Sequence, residues 1–279
     1  MFKKSINYLL NTLKEFFQGE ITLKYAIIKL LSQATFISRR FIDGVNWEKY
    51  SGHYAEELRI LEKNYVDRIS KSDGIYFKKK ICYKNKNQKK LHPNHELLYE
   101  TILQLAINDC MEIGCGGGDH LANLRQLNVK IKLTGIDLSV KQIDLLKKRN
   151  PNLLEFVNLH VMDITKTNIS VPKAELLYTQ AVLMHISEKE NRFQIALSNV
   201  FKSAIQCVVL MENWTQHDFL SAVKAEIRNN SHWHNSYTYI NSLASDKYTK
   251  CMVISRHKLD FELLNDYEQL LLGRNLEIH

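Results

Sequence analysis

The segment Met111-Glu112-Ile113-Gly114-Cys115-Gly116-Gly117-Gly118-Asp119 sets an acidic residue two positions ahead of three alternating glycines. Glycines at 114, 116 and 118 can adopt positive φ and let a ligand approach the main chain. A helix beginning after them would aim unpaired N–H groups at a polar or anionic group. Two more acids close apolar runs further on, Asp137 after 131–136 and Asp163 after 156–162. A carboxylate at Asp137 can accept the protons of both ribose hydroxyls. One at Asp163 can take an adenine amino proton, with Met162 beside the ring. Together these residues suggest the holding of a nucleoside cofactor.

A dinucleotide fingerprint, G-x-G-x-x-G, fails from Gly114 because Asp119 holds the last position, and from Gly116 because Leu121 does. A single Asp after an apolar run is usually a helix cap or turn residue. Three acids in register with a triple-glycine turn are poorly explained that way. At these residues, and over roughly 97–259, the sequence resembles the class I S-adenosylmethionine-dependent methyltransferases. The resemblance implies S-adenosyl-L-methionine as cofactor, with Gly114, Gly116 and Gly118 on its methionine part, Asp137 on the ribose and Asp163 on the adenine. It implies that Glu112 orders the turn and the cofactor's amino group. Cys115, Leu138, Met162, Ile164 and Gln180 are expected to complete the cofactor site. Cys115 reads as a small filler, because no neighbour in sequence is basic enough to make it an obvious nucleophile. A nucleotide-binding or propylamine-transfer relative, or a scaffold without catalysis, remains the alternative.

The run 176–186 looks like the fourth strand, leading to where such enzymes place the methyl acceptor. It lacks the Asp/Asn-Pro-Pro-Tyr motif of many amino-methylating nucleic-acid enzymes. His185 lies at the end of this run, just beyond the strand itself, and Glu212, Asn213 and His217 follow the next apolar run, 207–211. Ligands collect at strand carboxyl ends in doubly wound sheets, so His185, Glu212 and His217 are the catalytic candidates. A neutral His can remove the proton of an attacking hydroxyl, and a carboxylate can orient that hydroxyl. Methyl transfer to a good nucleophile can also proceed by positioning and desolvation, leaving these residues as polar partners or caps. Trp214, Trp233, Tyr237 and Tyr239 are expected to build either a stacking wall or core. No metal is expected: Pro93 makes the pair His92 and His95 a helix entry, with Asn94 as its cap.

Strands beginning near 110, 132, 157, 175, 207 and 251 alternate with helical spacing. They predict an α/β fold, a doubly wound, mostly parallel Rossmann-like sheet with an N-terminal helical extension. Residues 1–96 form that extension with a basic hairpin or loop, and 97–279 the methyltransferase-like domain. The segment 231–248 is expected to cross the active-site rim, with terminal strands at 251–255 and 261–264. The resemblance makes the last strand antiparallel.

At 279 residues, 45% hydrophobic and 24% charged, the chain can bury a full α/β core. Five cysteines without a C-x-x-C pair fit a reducing compartment, and a cytoplasmic location is expected. The net charge of +8 lies ahead of residue 101, where 19 Lys and Arg face 11 Asp and Glu. Its densest part, 76–90, interleaves seven lysines with three aromatics. The strip between 78 and 90 is either a solvated hairpin or a surface for phosphate, as on a nucleotide, a lipid-linked glycan or RNA, and through it a nucleic acid or peptide is the alternative partner. A small-molecule or glycan substrate is favoured, since no nucleic-acid module is evident. Phe2, Ile6, Leu9, Leu10, Leu13, Phe16 and Phe17 predict an amphipathic helix ended by Gly19, packed on the core or joining a homodimer, with a membrane surface as alternative. A helix over 47–58 carries Tyr50, His53 and Tyr54 as candidate cofactor cover. No apolar run approaches the roughly 20 residues of a spanning helix.

Overall fold

The structure, a computed structural model, describes residues 2–19, 21–23, 26–27, 65–70, 74–242, 248–260 and 267–270. The expected helix over 47–58 and the strand at 261–264 lie outside the described residues.

Helix α1, Phe2–Phe17, ends at Gln18 and Gly19, the latter at φ 68°. The antiparallel hairpin of β1 (Gly74–Phe77) and β2 (Lys80–Tyr83) follows, and then α2, Pro93–Gln104. The remaining elements alternate: β3 (Asp109–Ile113), α3 (Asp119–Leu127), β4 (Lys132–Asp137), α4 (Val140–Arg149), β5 (Val157–Val161) and β6 (Ala174–Gln180). After them come α5 (Arg192–Ser203), β7 (Ala204–Asn213), α6 (Phe219–Asn229), β8 (Tyr237–Asn241), β9 (Thr249–Ser255) and β10 (Glu268–Leu270).

The main sheet runs in the order β10-β8-β9-β7-β6-β3-β4-β5. Pairings from β7 through β5 are parallel, and β9, β8 and β10 add on antiparallel. The rim segment expected at 231–248 therefore contains a sheet strand, β8. Trp233 and Tyr239 are core: Trp233 Nε1 donates to Phe201 O at 2.9 Å, and Tyr239 OH accepts from Leu259 N.

Alternation along each strand sorts the core into two layers. Cys110, Leu133, Leu176 and Tyr178 pack under α2, α3 and α4, while Met111, Ile113, Ile136 and Leu177 pack under α5 and α6. The first layer continues into Ile69, Ile81 and Leu91, so the hairpin shares the core of the sheet. It is bolted to α2 by Glu100, whose carboxylate accepts from Ile81 N at 2.8 Å and from Lys80 Nζ at 3.0 Å. Lys78 and Lys79 form its tip at φ 47° and 67°, a pair of left-handed residues that matches a tight hairpin turn.

Two sequence expectations are corrected locally. The cap of α2 is His92, whose Nδ1 accepts from Asn94 N at 3.2 Å, and not Asn94, because Pro93 already occupies the first helical position. The apolar stripe of α1 is not packed on the core over its described side chains. Leu9, Leu10, Leu13 and Phe17 are exposed, while Thr12 and Glu15 are buried. Among the described residues no helix is long and apolar enough to cross a membrane.

Candidate cofactor and acceptor site

The sheet changes its direction of winding between β3 and its neighbours β4 and β6, and in such sheets ligands collect at the strand carboxyl ends beside that point. The glycine turn sits there. Gly114, Gly116 and Gly118 all have positive φ, 76°, 47° and 79°, and Gly118 leads directly into α3. Gly114 N and Cys115 N donate to Ile136 O at 2.7 and 3.0 Å, and Gly116 N donates to Asp137 Oδ2 at 2.9 Å, which clamps the turn onto the end of β4. Asp137 Oδ1 accepts from Ser139 N at 2.8 Å, and Ser139 caps α4 through Gln142 N.

The three glycines answer to different demands. A Cβ on Gly114 would stand 2.4 Å from Val182 Cγ2, and one on Gly118 2.5 Å from Leu146 Cγ. Those two are required by protein packing. Among the described residues a Cβ on Gly116 would meet only Gln142 Oε1 within 4 Å, at 3.8 Å, so packing against them does not require this glycine. Gln142 Oε1 is itself buried and has no hydrogen-bond partner among the described residues. An acceptor left unsatisfied beside an open backbone cradle fits a ligand carrying polar hydrogens.

Other expected cofactor residues converge on the same edge. Met162 N donates to Asp137 O at 2.8 Å, which brings the ends of β4 and β5 together. Asp163 Oδ1 accepts from Thr165 N and Oγ1 at 2.9 and 2.6 Å. Leu138 is exposed on this edge and Ile164 is buried. Cys115 is a buried filler whose thiol is pushed well up by burial and by the Glu112 and Asp137 carboxylates. Glu112 lies wholly inside, facing α2 and α3, where its carboxylate accepts from Tyr178 OH at 3.1 Å; burial raises its pKa well above the usual range. Gln180 closes β6, and its Oε1 lies 3.3 Å from His120 Nε2.

The three catalytic candidates part company. His185 is exposed at the end of a short turn, Leu183–His185, on the strand-end rim. Glu212 is fully buried, and its carboxylate accepts from Val182 N, Leu183 N and Met184 N at 3.2, 3.1 and 3.1 Å. It holds the turn that carries His185, which leaves its oxygens committed to main-chain N–H groups. His217 is also buried, stacked on Phe193 with ring centroids 3.9 Å apart and edge-on to Phe219. Its Nδ1 lies 3.1 Å from Glu188 Oε1, and it packs between α5 and α6. The reason is aromatic packing in this layer, a preference that its place after a strand does not reveal.

Sequence reasoning missed three residues here. Gln142 is one; its only signal is a position three residues after a capping Ser. His95 and His120 are the others, brought by the first turns of α2 and α3 to within 4.7 Å of each other, ring to ring. His120 directly follows the Asp119 that closes the turn, a placement that could have drawn attention to it. Among the described residues no group of His, Cys, Asp and Glu is arranged to hold a metal ion.

Residues 108–261, more than half of the chain, match the family described as "Methyltransferase domain". The chain belongs to this family. It is a class I S-adenosylmethionine-dependent methyltransferase. Among solved structures it is similar to a TehB-like S-adenosylmethionine-dependent methyltransferase from Corynebacterium glutamicum, with 16% identity, 75% of this chain and 98% of that chain covered, and a TM-score of 0.51. That likeness shows the shared fold. It is also similar to magnesium protoporphyrin IX methyltransferase from Synechocystis (15% identity, 59% and 79% covered, TM-score 0.46). A third is a putative S-adenosyl-L-methionine-dependent methyltransferase from Methanococcus maripaludis (15% identity, 60% and 87% covered, TM-score 0.42). Comparison with curated protein sequences finds no match. The methyltransferase fold accounts for the clamped glycine turn and the open face of Gly116, and S-adenosylmethionine is the cofactor they fit.

Proposed function

We propose that this methyltransferase transfers the methyl group to an oxygen or nitrogen nucleophile of a small molecule or a glycan-pathway intermediate. Asp137 would hold the ribose and Asp163 the adenine, with Leu138, Met162 and Ile164 around the ring. Gly114, Gly116, Cys115 and Gly118 would form the backbone cradle for the methionine part, with Gln180 at its far side and Glu112 supporting the turn from below. Methyl transfer is an in-line displacement: the nucleophile bonds to the methyl carbon while the carbon–sulfur pair returns to sulfur. The protein's part is to align and desolvate the two reactants.

The observation that carries the small-molecule reading is the wall of rings beside Gln180, at the end of β6. His92, His95, His120 and Tyr65 lie there in successive ring contacts of 4.7–5.4 Å, over Gln180. Such a wall suits a compact acceptor more than a polymer. The lysine strip is divided between the two ends of α2. Its tip lies by Gln104, whose Nε2 donates to Lys79 O at 3.3 Å, while 84–90 return toward His92. Lys84, Lys86, Lys89 and Lys90 would then steer an acceptor carrying phosphate or carboxylate. His185 is the catalytic candidate left on the rim, and Glu212 acts on it as a positioning residue.

Calorimetric titration with S-adenosylmethionine and S-adenosylhomocysteine, with NAD as control, tests the cofactor site. Labelled-methyl transfer at about 50 and 200 mM salt then separates acceptors, since binding to an RNA would fall by orders of magnitude over that range. Turnover of a compact acceptor with little salt dependence is the expected result. Activity only on RNA or a peptide, lost on adding salt, would overturn the small-molecule reading.

A further inference from the structure

Three imidazoles face one another across the first turns of α2 and α3, and one of them, His120, sits in a side-chain hydrogen-bond chain. Asn123 Nδ2 donates to Asp67 O at 2.7 Å and to Tyr99 OH at 3.0 Å, while its Oδ1 accepts from Ile69 N. Tyr99 OH accepts from Asn123, and His120 Nδ1, 2.7 Å away, is placed to take its proton. In that arrangement neutral His120 carries its hydrogen on Nε2, aimed at Gln180 Oε1. That relay holds His120 in one tautomer and turns the Gln180 carboxamide so that its NH₂ is the free end. Protonating His120 would break the bond from Tyr99. Burial lowers its pKa to about 4.

His95 is different. Among the described residues its ring nitrogens make no hydrogen bond, and its ring is only half-buried. Its proton count can change without breaking any bond. Burial lowers its pKa well below 6.5, and the neighbouring His120 and His92 lower it further. The other groups around it are Tyr99, on its own helix, and Tyr65, which lies against His92. Asp119, next to His120 in sequence, is turned away, paired with Arg149 at 2.9 Å and Arg68 at 3.3 Å.

The location gives this wall its meaning. Asp137 ends β4 and Asp163 follows β5 by two residues, on one side of β3, and under the cofactor reading above they take the adenosine half. The methionine half, with its sulfonium, then falls on the opposite side, over β3 and β6, where His120 and Gln180 stand. We propose that His95, backed by His120, is a charge-reading residue of the cofactor site. A neutral His95 admits the sulfonium of S-adenosylmethionine, a protonated His95 repels it, and the uncharged thioether S-adenosylhomocysteine is indifferent to the difference. The proposal rests on the cofactor reading and adds to it a residue that tells substrate from product by charge. It is consistent with the charge balance of the reaction. Sulfur loses its positive charge as the carbon–sulfur bond breaks, the acceptor gains the methyl group and loses a proton, and the cleft can hold that proton on His95 only once the sulfonium has become a thioether.

The test needs no acceptor. The His95 ring is followed by NMR through pH in the protein saturated with each ligand, assigned by its loss in His95→Gln. Affinities for both ligands are measured by calorimetry on the wild type, His95→Gln and His95→Lys. His95 is expected to titrate at lower pH with S-adenosylmethionine bound than with S-adenosylhomocysteine. A fixed charge in His95→Lys is expected to weaken S-adenosylmethionine at least about tenfold at pH near 7.5, while changing S-adenosylhomocysteine by about twofold or less. His95→Gln, neutral at every pH, should preserve the wild-type ratio of the two affinities and make it independent of pH. Identical His95 titrations in the two wild-type complexes would overturn the proposal, and that measurement stands even if His95→Lys does not fold. Equal losses of both ligands in a folded His95→Lys protein would also overturn it while leaving the cofactor reading intact. Failure of folded wild-type protein to bind either ligand would bring down both.

Discussion

Gly116→Ala separates the fold from the site more cleanly than any other single change in the glycine turn. At φ 47° an alanine is strained, by about 1–2 kcal/mol for a left-handed residue, but among the described residues its Cβ meets nothing closer than Gln142 Oε1 at 3.8 Å. Gly114→Ala carries similar strain and also drives Cβ to 2.4 Å from Val182 Cγ2, an overpacking worth about 1–3 kcal/mol more. Gly114→Ala should therefore lose roughly 2–5 kcal/mol and Gly116→Ala less than half of that. At roughly 2 °C or more per kcal/mol for a chain of this size, the two melting temperatures separate measurably. Ligand binding should reverse the order of interest. The methyl group that Gly116→Ala adds projects into the space reserved for the cofactor, and an overlap of about 1–3 kcal/mol there weakens it about five- to hundredfold. The assay is thermal unfolding of both variants with and without S-adenosylhomocysteine, paired with calorimetric titration. A Gly116→Ala protein that melts near the wild type yet binds S-adenosylhomocysteine with unchanged affinity would refute the idea that this glycine keeps the cradle open.

Asp137→Ala removes the acceptor of Gly116 N and Ser139 N as well as the expected ribose contact, so cofactor affinity should fall by about 2 kcal/mol or more in calorimetry. Glu212→Gln replaces one acceptor oxygen by an NH₂ group facing main-chain donors at Val182, Leu183 and Met184. It should lower stability by about 1–3 kcal/mol in urea unfolding, and slow methyl transfer through the displaced turn without altering the pH profile a lost base would alter. His120 titrates at about 4 when folded and near 6.5 when unfolded, so the unfolded chain binds more protons between those values. Stability should then fall as pH drops from about 6.5 to 4, by roughly 3 kcal/mol from this group, and urea midpoints for His120→Gln should show a shallower acid limb.

The glycine turn and the acids that follow apolar strands were legible because their demands are local. A turn that must hold positive φ at alternate positions announces itself as glycine, and a strand that must end in an acceptor announces itself as Asp after an apolar run, as at Asp137 and Asp163. The parallel sheet was legible for a similar reason, since its buried strands are short apolar runs between helical segments. The antiparallel edge was harder. Tyr237–Asn241 carries strand-favouring Tyr, Thr and Ile, but so short a run does not say whether it crosses the rim or joins the sheet; its place beside β9 is set by tertiary pairing. α1 shows the converse case: the 3.6-residue stripe predicts the helix correctly and says nothing about which face meets protein, and here Leu9, Leu10, Leu13 and Phe17 face outward while Phe16 packs on Ile21 and Ala26.

Acceptor-site residues were misjudged because position after a strand specifies an edge of the sheet and not a direction. Glu212 and His217 both follow or end β7, yet one turns in toward the main chain of 182–184 and the other into an aromatic stack between two helices. A carboxylate buried among N–H donors and an imidazole against Phe193 are stable arrangements in their own right, so nothing forces either into the cleft. The imidazoles that do reach the wall of rings beside Gln180 come from the starts of helices, His95 from α2 and His120 from α3. A helix start is where side chains of the first turn project past the last strand residue, toward whatever lies above the sheet. Under the proposed cofactor placement, the adenosine half is specified by strand ends and the sulfonium half by helix beginnings. That division predicts that substitutions in the first turns of α2 and α3 will alter discrimination between S-adenosylmethionine and S-adenosylhomocysteine, while those at the ends of β4 and β5 will weaken the two ligands alike.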